Sequence, residues 1–267
     1  MDAGKVGMAA EILADLRVRA EAMAAPLDEL PPDCRPATID AAYAVQDATR
    51  ALLAARGLGR QAGWKIGATA KPTQDFLGID HPAAGTLYEA TLHTGHADLD
   101  RSVYLRLGVE CEIAVRLGAG LPARPGGHDR DSVAPAIATA MASMELIEHR
   151  FAAGAGTPSL IADDVFSAGC VIGDEHPFDE VAEGLDDLDG RIVVDGDTVA
   201  TAPATAILGH PLNALAWLAD HRAARGTPLQ AGDLVSLGSV VSPWYPDRPC
   251  RIAVSFDRLG SVSVTVT

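Results

Sequence analysis

Leu107-Gly108-Val109-Glu110-Cys111-Glu112-Ile113-Ala114-Val115 is the stretch that decides the fold class of this chain. Val109, Cys111, Ile113 and Val115 alternate with Glu110, Glu112 and Ala114, the period of two that marks a half-buried strand. Side chains two apart on a strand leave the same face, so the carboxylates stand side by side, about 7 Å apart along the backbone. Like charges so placed repel unless water or a cation separates them. Two readings follow: a solvated acidic face, or part of an oxygen-ligand site for a hard divalent ion.

Outward from this strand the texture is of short β-like runs bounded by Gly and Pro: Trp64–Ala68, Gly85–Tyr88, Leu105–Leu117, Asp163–Ile172, Gly190–Val194, Leu234–Leu237 and Arg251–Val266. Helical spacing marks Met8–Ala25, and a second helix runs from a Thr38-Ile39-Asp40 cap to about Arg56, stopping near Gly57. Further helical patterns lie at Ser132–Met141 and Pro211–Arg225, while Ser143–Arg150 fits helix or strand equally. Many short strands in no regular βαβ order predict an α+β core of antiparallel or mixed sheet. Residues 1–60 read as an N-terminal helical region and 61–267 as a β-rich domain.

The chain has 267 residues, a hydrophobic content of 48% and a formal charge of −15. That charge argues against nucleic acid or an anionic membrane as partner, and an anionic substrate would need a local cation. No apolar stretch is long enough to span a bilayer. Met1–Leu16 has no basic segment leading into an apolar block, so a cytoplasmic protein is expected. Cys34, Cys111, Cys170 and Cys250 are far apart, with no C-x-x-C, and read as reduced core thiols. Gly118-Ala119-Gly120 lacks the third glycine of a dinucleotide loop, and neither a G-x-S-x-G elbow nor a Walker loop occurs.

Several side chains are candidates for chemistry. Lys65, inside Gly63-Trp64-Lys65-Ile66-Gly67, is either a solvated edge-strand residue or an enclosed ammonium for a carboxylate or enolate oxygen. Asp80 sits in the Gly78-Ile79-Asp80-His81-Pro82 turn, where local hydrogen bonding alone accounts for it unless Lys65 is near. Glu145, beside apolar Leu146 and Ile147, needs a partner if buried and can complete a three-carboxylate site with Glu110 and Glu112. Glu148, His149 and Arg150 fit a charged surface equally well, and Asp163-Asp164 fits a turn or cap before the Ser167 run.

Taken in order, these segments resemble the fumarylacetoacetate hydrolase superfamily, in its 2-keto-4-pentenoate hydratase and 4-oxalocrotonate decarboxylase branch. The resemblance runs through Asp40–Gln46, Gly63–Gly67, Leu77–Asp80, Glu110–Ala114, Glu145, Ala162-Asp163, Leu208–Ala214, Ala231–Asp233 and Leu259–Val262. It implies a mixed β-roll core behind a small helical N-terminal region, assembled as a homo-oligomer. It also implies that Glu110, Glu112 and Glu145 hold Mg²⁺ or Mn²⁺ while Lys65 and Asp80 line the reacting end of a 2-oxo acid.

The implied activity is a hydro-lyase that adds water to a 2-hydroxy-2,4-dienoate through a metal-chelated enolate, giving a 4-hydroxy-2-oxo acid. Lys65 would stabilise the enolate and Asp80 would handle protons, with Glu148 or Asp163 orienting water and Ser167 contacting substrate. Decarboxylation of a 2-oxo dicarboxylate is the nearest rival; it needs a cation at the distal carboxylate, for which Arg150, Arg106 and Lys71 are candidates. A catalytically weak binding or assembly subunit is the third reading. Departures from the family pattern fall on the substrate side. Asp164 replaces a neutral amide, Phe166 and Ala168 add bulk, Glu148-His149 stands where Asp-Ser is usual, and Gly238–Pro246 gains aromatics.

Overall fold

The computed structural model describes residues 1–18 and 25–267. Two helices come first, α1 (Ala3–Val18) and α2 (Ile39–Leu53). The Thr38 hydroxyl caps α2 by accepting from the Ala41 N–H, and Arg56-Gly57 breaks helical geometry, as the sequence predicts. The first helix begins earlier than its apolar spacing predicts, and residues 19–24 of that expectation lie outside the described residues.

The chain continues through β1 (Gln61–Gly67), α3 (Lys71–Leu77), β2 (Ala83–Tyr88), β3 (Leu92–Thr94), β4 (His96–Leu99), β5 (Leu107–Leu117), α4 (Arg130–Val133) and β6 (Ile137–Glu148). Then come α5 (Thr157–Ala162), β7 (Ser167–Ile172), β8 (His176–Pro177), α6 (Phe178–Val181), β9 (Asp189–Val194), β10 (Asp197–Pro203) and α7 (Pro211–Ala224). The last three strands are β11 (Leu234–Ser239), β12 (Cys250–Phe256) and β13 (Gly260–Val266).

Two mixed sheets result. The larger has the order β2-β1-β11-β5-β6-β7-β3, with β8 paired to β6; the smaller runs β10-β9-β12-β13-β4. Parallel pairs (β1 with β11, β3 with β7, β4 with β13) sit among antiparallel ones. The sheets pack face to face, β12 and β13 against β5 and β6. One apolar cluster includes Leu13 and Val45 of the first helices as well as Ile113, Val254 and Leu215. The four cysteines are free and buried, as expected.

Two sequence expectations are corrected. Ser132–Met141 is not a helix: one turn of α4 ends at Ala134-Pro135, and β6 occupies Ile137 onward, running through the ambiguous Ser143–Glu148. The alternation that would have marked a strand is absent because β6, flanked by β5 and β7, is buried on both faces. Asp163–Phe166 is likewise a turn, and the strand starts only at Ser167.

Candidate metal centre and active site

Strand pairing assembles the acidic cluster. Glu110 on β5 lies directly opposite Glu145 on β6, and Glu112 lies opposite Ser143. Cys111, of opposite parity, reaches the Arg191 carbonyl of β9, so the Glu110 and Glu112 face points away from the smaller sheet. That face is not solvated: Glu112 and Glu145 are buried and Glu110 is partly so. One oxygen from each of the three carboxylates lies within 4.8 Å of the others.

Lys65 is enclosed rather than solvated. From β1, two strands from β5, its Nζ stands 3.0 Å from Glu145 Oε1 and donates to the Val165 carbonyl at 2.7 Å. Glu112 Oε2 accepts from the Ser236 hydroxyl and from the Gly238 N–H at 3.2 Å. The second bond exists because β11 slips register between Ser236 and Ser239, freeing a backbone N–H to point inward. Glycine is required there: φ is +109°, and a Cβ would overlap the Thr69 side chain.

The electrostatics are unbalanced. Three carboxylates face one ammonium: Glu145 Oε1 has Lys65 as its partner, while Glu112 Oε1 and Glu145 Oε2 are buried without a hydrogen bond. Burial first, then the Glu145 charge, push Glu110 up to about 8, with Lys65 opposing. Burial, Glu145 and Glu110 likewise hold Glu112 well above the carboxylate range, and burial raises Glu145 against the pull of Lys65. Burial disfavours the Lys65 ammonium, yet Glu145, Glu110 and Glu112 outweigh it and hold its pKa above the ordinary value. Orphaned, closely spaced oxygens are the donor set of a hard cation, and a divalent ion with Lys65 would neutralise the cluster.

The Asp164-Val165-Phe166 turn forms one wall. All three residues have positive φ, at 55°, 50° and 69°, which is costly for β-branched Val165. The turn is held by Asp164, whose oxygens accept from Arg17 of α1, the Thr86 N–H and the Tyr88 hydroxyl. Gly85 lets it approach, since a Cβ there would sit 2.8 Å from the Asp164 carbonyl and 3.1 Å from Lys65 Cδ. Beside it is a cavity of about 280 Å³ lined by Lys65, Glu110, Phe76, His149, Phe166 and Tyr245.

The remaining predicted residues are placed elsewhere. Asp80 is exposed in a separate hollow with Gln74 and His81 and is not brought to Lys65. Glu148 accepts from Arg150 and the Leu105 N–H, and Asp163 accepts from Arg150 Nε at 2.8 Å. Ser167 offers its backbone carbonyl to both Arg17 and Arg150. These three groups brace the wall and do not line the cavity. Sequence reasoning passed over Arg17, which on an amphipathic helix reads as a surface residue. It also passed over the Val165 carbonyl, which has no side-chain signal. The aromatic departures were a usable signal: Phe166 and Tyr245 do face the cavity.

A three-carboxylate cluster with a buried lysine, at the paired centre of a mixed sheet in an α+β protein, defines a class of enzyme-like metal centre. Residues 69–267 match the fumarylacetoacetate (FAA) hydrolase C-terminal family, and the chain belongs to that family. It is 32% identical over 232 residues to a 2-keto-4-pentenoate hydratase of Burkholderia vietnamiensis, covering 85% of each chain. It is 33% identical over 264 residues to 2-keto-4-pentenoate hydratase 2 of Dechloromonas aromatica, covering 96% of this chain and 97% of that one. Among solved structures it is similar to 4-oxalocrotonate decarboxylase from Pseudomonas putida G7 complexed with magnesium and adipate, at a TM-score of 0.91 and 26% identity. That similarity covers 100% of this chain and 99% of the other.

Proposed function

We propose that this chain is a divalent-metal-dependent hydro-lyase that hydrates a 2-hydroxy-2,4-dienoate to a 4-hydroxy-2-oxo acid. The observation that carries the proposal is the convergence of Glu110, Glu112 and Glu145 beside Lys65, with Glu112 Oε1 and Glu145 Oε2 buried and without a hydrogen bond. Hydratase relatives at about one-third identity over most of the chain support the same reading.

Glu110, Glu112 and Glu145 would hold Mg²⁺ or Mn²⁺, which supplies Lewis acidity toward the oxygens of a 2-oxo acid head group. Lys65 lines the cavity, and its ammonium, fixed by the Val165 carbonyl, is preorganised for an oxygen that gains charge as an enolate forms. The Asp164–Phe166 wall and Tyr245 limit water around that oxygen. The family resemblance proposes Asp80 as the proton-handling group, although its exposed hollow is apart from the cavity that Lys65 and Glu110 line. Glu148, Asp163 and Ser167 act through Arg150 and Arg17 as braces of the wall.

A β-roll of this family, with 1–60 as a helical N-terminal region and 61–267 as the catalytic domain, fits the shared core of helices and sheets. The same reading carries a cytoplasmic homo-oligomer with a small-molecule partner and neither nucleic acid nor membrane, in keeping with the −15 charge. No helix among the described residues is long and apolar enough to cross a membrane. Decarboxylation of a 2-oxo dicarboxylate is the second reading, favoured by the similarity to 4-oxalocrotonate decarboxylase.

Purified protein with Mg²⁺ and a panel of 2-hydroxydienoates and 2-oxo dicarboxylates separates these, with dienol absorbance and CO₂ followed together. Hydration removes the absorbance without CO₂. Glu112→Gln should abolish metal-supported turnover, and full activity of that variant at limiting Mg²⁺ would contradict the ligand role. Asp80→Asn should lower kcat at unchanged Mg²⁺ affinity; a kcat equal to that of the parent removes Asp80 from the reaction.

A further inference from the structure

The inner cavity adjoins a larger one. A chamber of about 590 Å³ shares Phe76, His149 and Phe166 with it and adds Arg106, Leu105 and Phe151. Apart from Arg106 and His149, its described side chains are apolar. Arg106 forms no ion pair among the described residues, unlike the other two cations considered for a distal anion. Arg150 is buried and spent on Glu148, Asp163 and the Ser167 carbonyl, and Lys71 is exposed and paired with Asp75.

Arg106 is also positioned. Its guanidinium lies 4.1 Å from the centre of the Tyr245 ring, and the Tyr245 hydroxyl is hydrogen-bonded to His149 Nε2 at 2.8 Å. The backbone that carries the ring is anchored, because neighbouring Trp244 exchanges two backbone hydrogen bonds of 2.9 Å with Val109, one residue before Glu110. Burial, with Arg106 and Arg150 nearby, keeps His149 below its ordinary pKa, so the chamber's positive charge belongs to Arg106. Arg106 is exposed at the rim of an otherwise apolar chamber and stacked on Tyr245. A single cation so placed, unpaired among the described residues, on a protein of charge −15 is the arrangement that selects an anionic tail.

We propose that Arg106, seated on Tyr245, receives a second carboxylate at the far end of the substrate, so that this enzyme prefers dienoates and 2-oxo acids ending in a carboxylate over those ending in a methyl group. This rests on the proposed function, which places the 2-oxo acid head at Glu110, Glu112, Glu145 and Lys65. It adds the identity of the tail, and it applies to hydration and decarboxylation alike.

The test is calorimetric binding, with Mg²⁺ present, of two stable 2-oxo acids that differ only at the far end: 2-oxohexanedioate and 2-oxohexanoate. The parent protein should bind the diacid about tenfold more tightly. Arg106→Met should erase that preference while leaving the monoacid within about twofold, and Arg106→Lys should restore part of it. Equal binding of both acids by the parent protein overturns the tail assignment and leaves the head-group reading standing. So does an Arg106→Met variant that weakens both acids alike. Binding of neither acid in the presence of Mg²⁺ sinks the two together.

Discussion

At the residue scale, the site depends on an arginine that touches none of the predicted ligands. Arg17 and Asp164 are both buried, and Arg17 also holds the Ser167 carbonyl at 2.7 Å. Removing one member of such a pair strands the other charge, at a cost of about 3–5 kcal/mol. Arg17→Met should therefore lower stability by that order in chemical denaturation and reduce turnover, because the turn that presents the Val165 carbonyl to Lys65 loses its anchor. The double variant Arg17→Met with Asp164→Asn should regain much of the stability, since no charge is then left alone. If Arg17→Met is as stable as the parent protein, the anchor role is wrong. The four charged site residues themselves were legible: two carboxylates two apart on a strand, a lysine in an apolar run, and an acid beside Leu146 and Ile147. Arg17 was not, because its partner is remote in sequence and nothing in helical spacing announces a contact across the fold.

At the element scale, β6 shows why part of the fold could not be read. Ile137-Ala-Thr-Ala-Met-Ala-Ser-Met-Glu-Leu-Ile-Glu148 is rich in helix formers, yet it is the strand that brings Glu145 opposite Glu110. Pairing on both edges and burial of both faces override local preference, which is strongest where a strand is central. The opening strand β5 was legible because its alternation survived, although its acidic face is buried rather than wet. The bulge in β11 is an element-level device of the same site. Gly238→Ala meets both a left-handed backbone and the Thr69 side chain, so it should cost about 1–3 kcal/mol. It should also weaken Mg²⁺ affinity, because the N–H that orients Glu112 moves with the bulge. Unchanged Mg²⁺ affinity by titration calorimetry in a folded Gly238→Ala protein would separate the bulge from the site.

At the scale of the whole molecule, two sheets and the first helices close around a cluster that is unfavourable as it stands. Order of the segments along the chain was enough to suggest the family, while the topology that makes the cluster came only with strand pairing. The consequence is a pH dependence whose sign is fixed by the direction of the shifts. Without metal, Glu110, Glu112 and Glu145 hold protons more tightly in the folded chain than in the unfolded one. Their protonated forms therefore favour folding at low pH, and that contribution is lost as pH rises from the carboxylate range near 4.5 toward about 8, where Glu110 titrates. Lys65, raised above 10.5, keeps its proton in both states across this window and adds no slope. A divalent ion must displace those protons to bind, so its stabilisation should grow over the same interval. Thermal unfolding in chelator should show a midpoint that falls between about pH 5 and about pH 8, and saturating Mg²⁺ should raise the midpoint more at the upper end than at the lower. In Glu112→Gln the acid-to-neutral slope in chelator should flatten, because one of the shifted groups is gone. A Mg²⁺ increment that is the same at both ends of the range would mean that the ion binds somewhere other than this cluster.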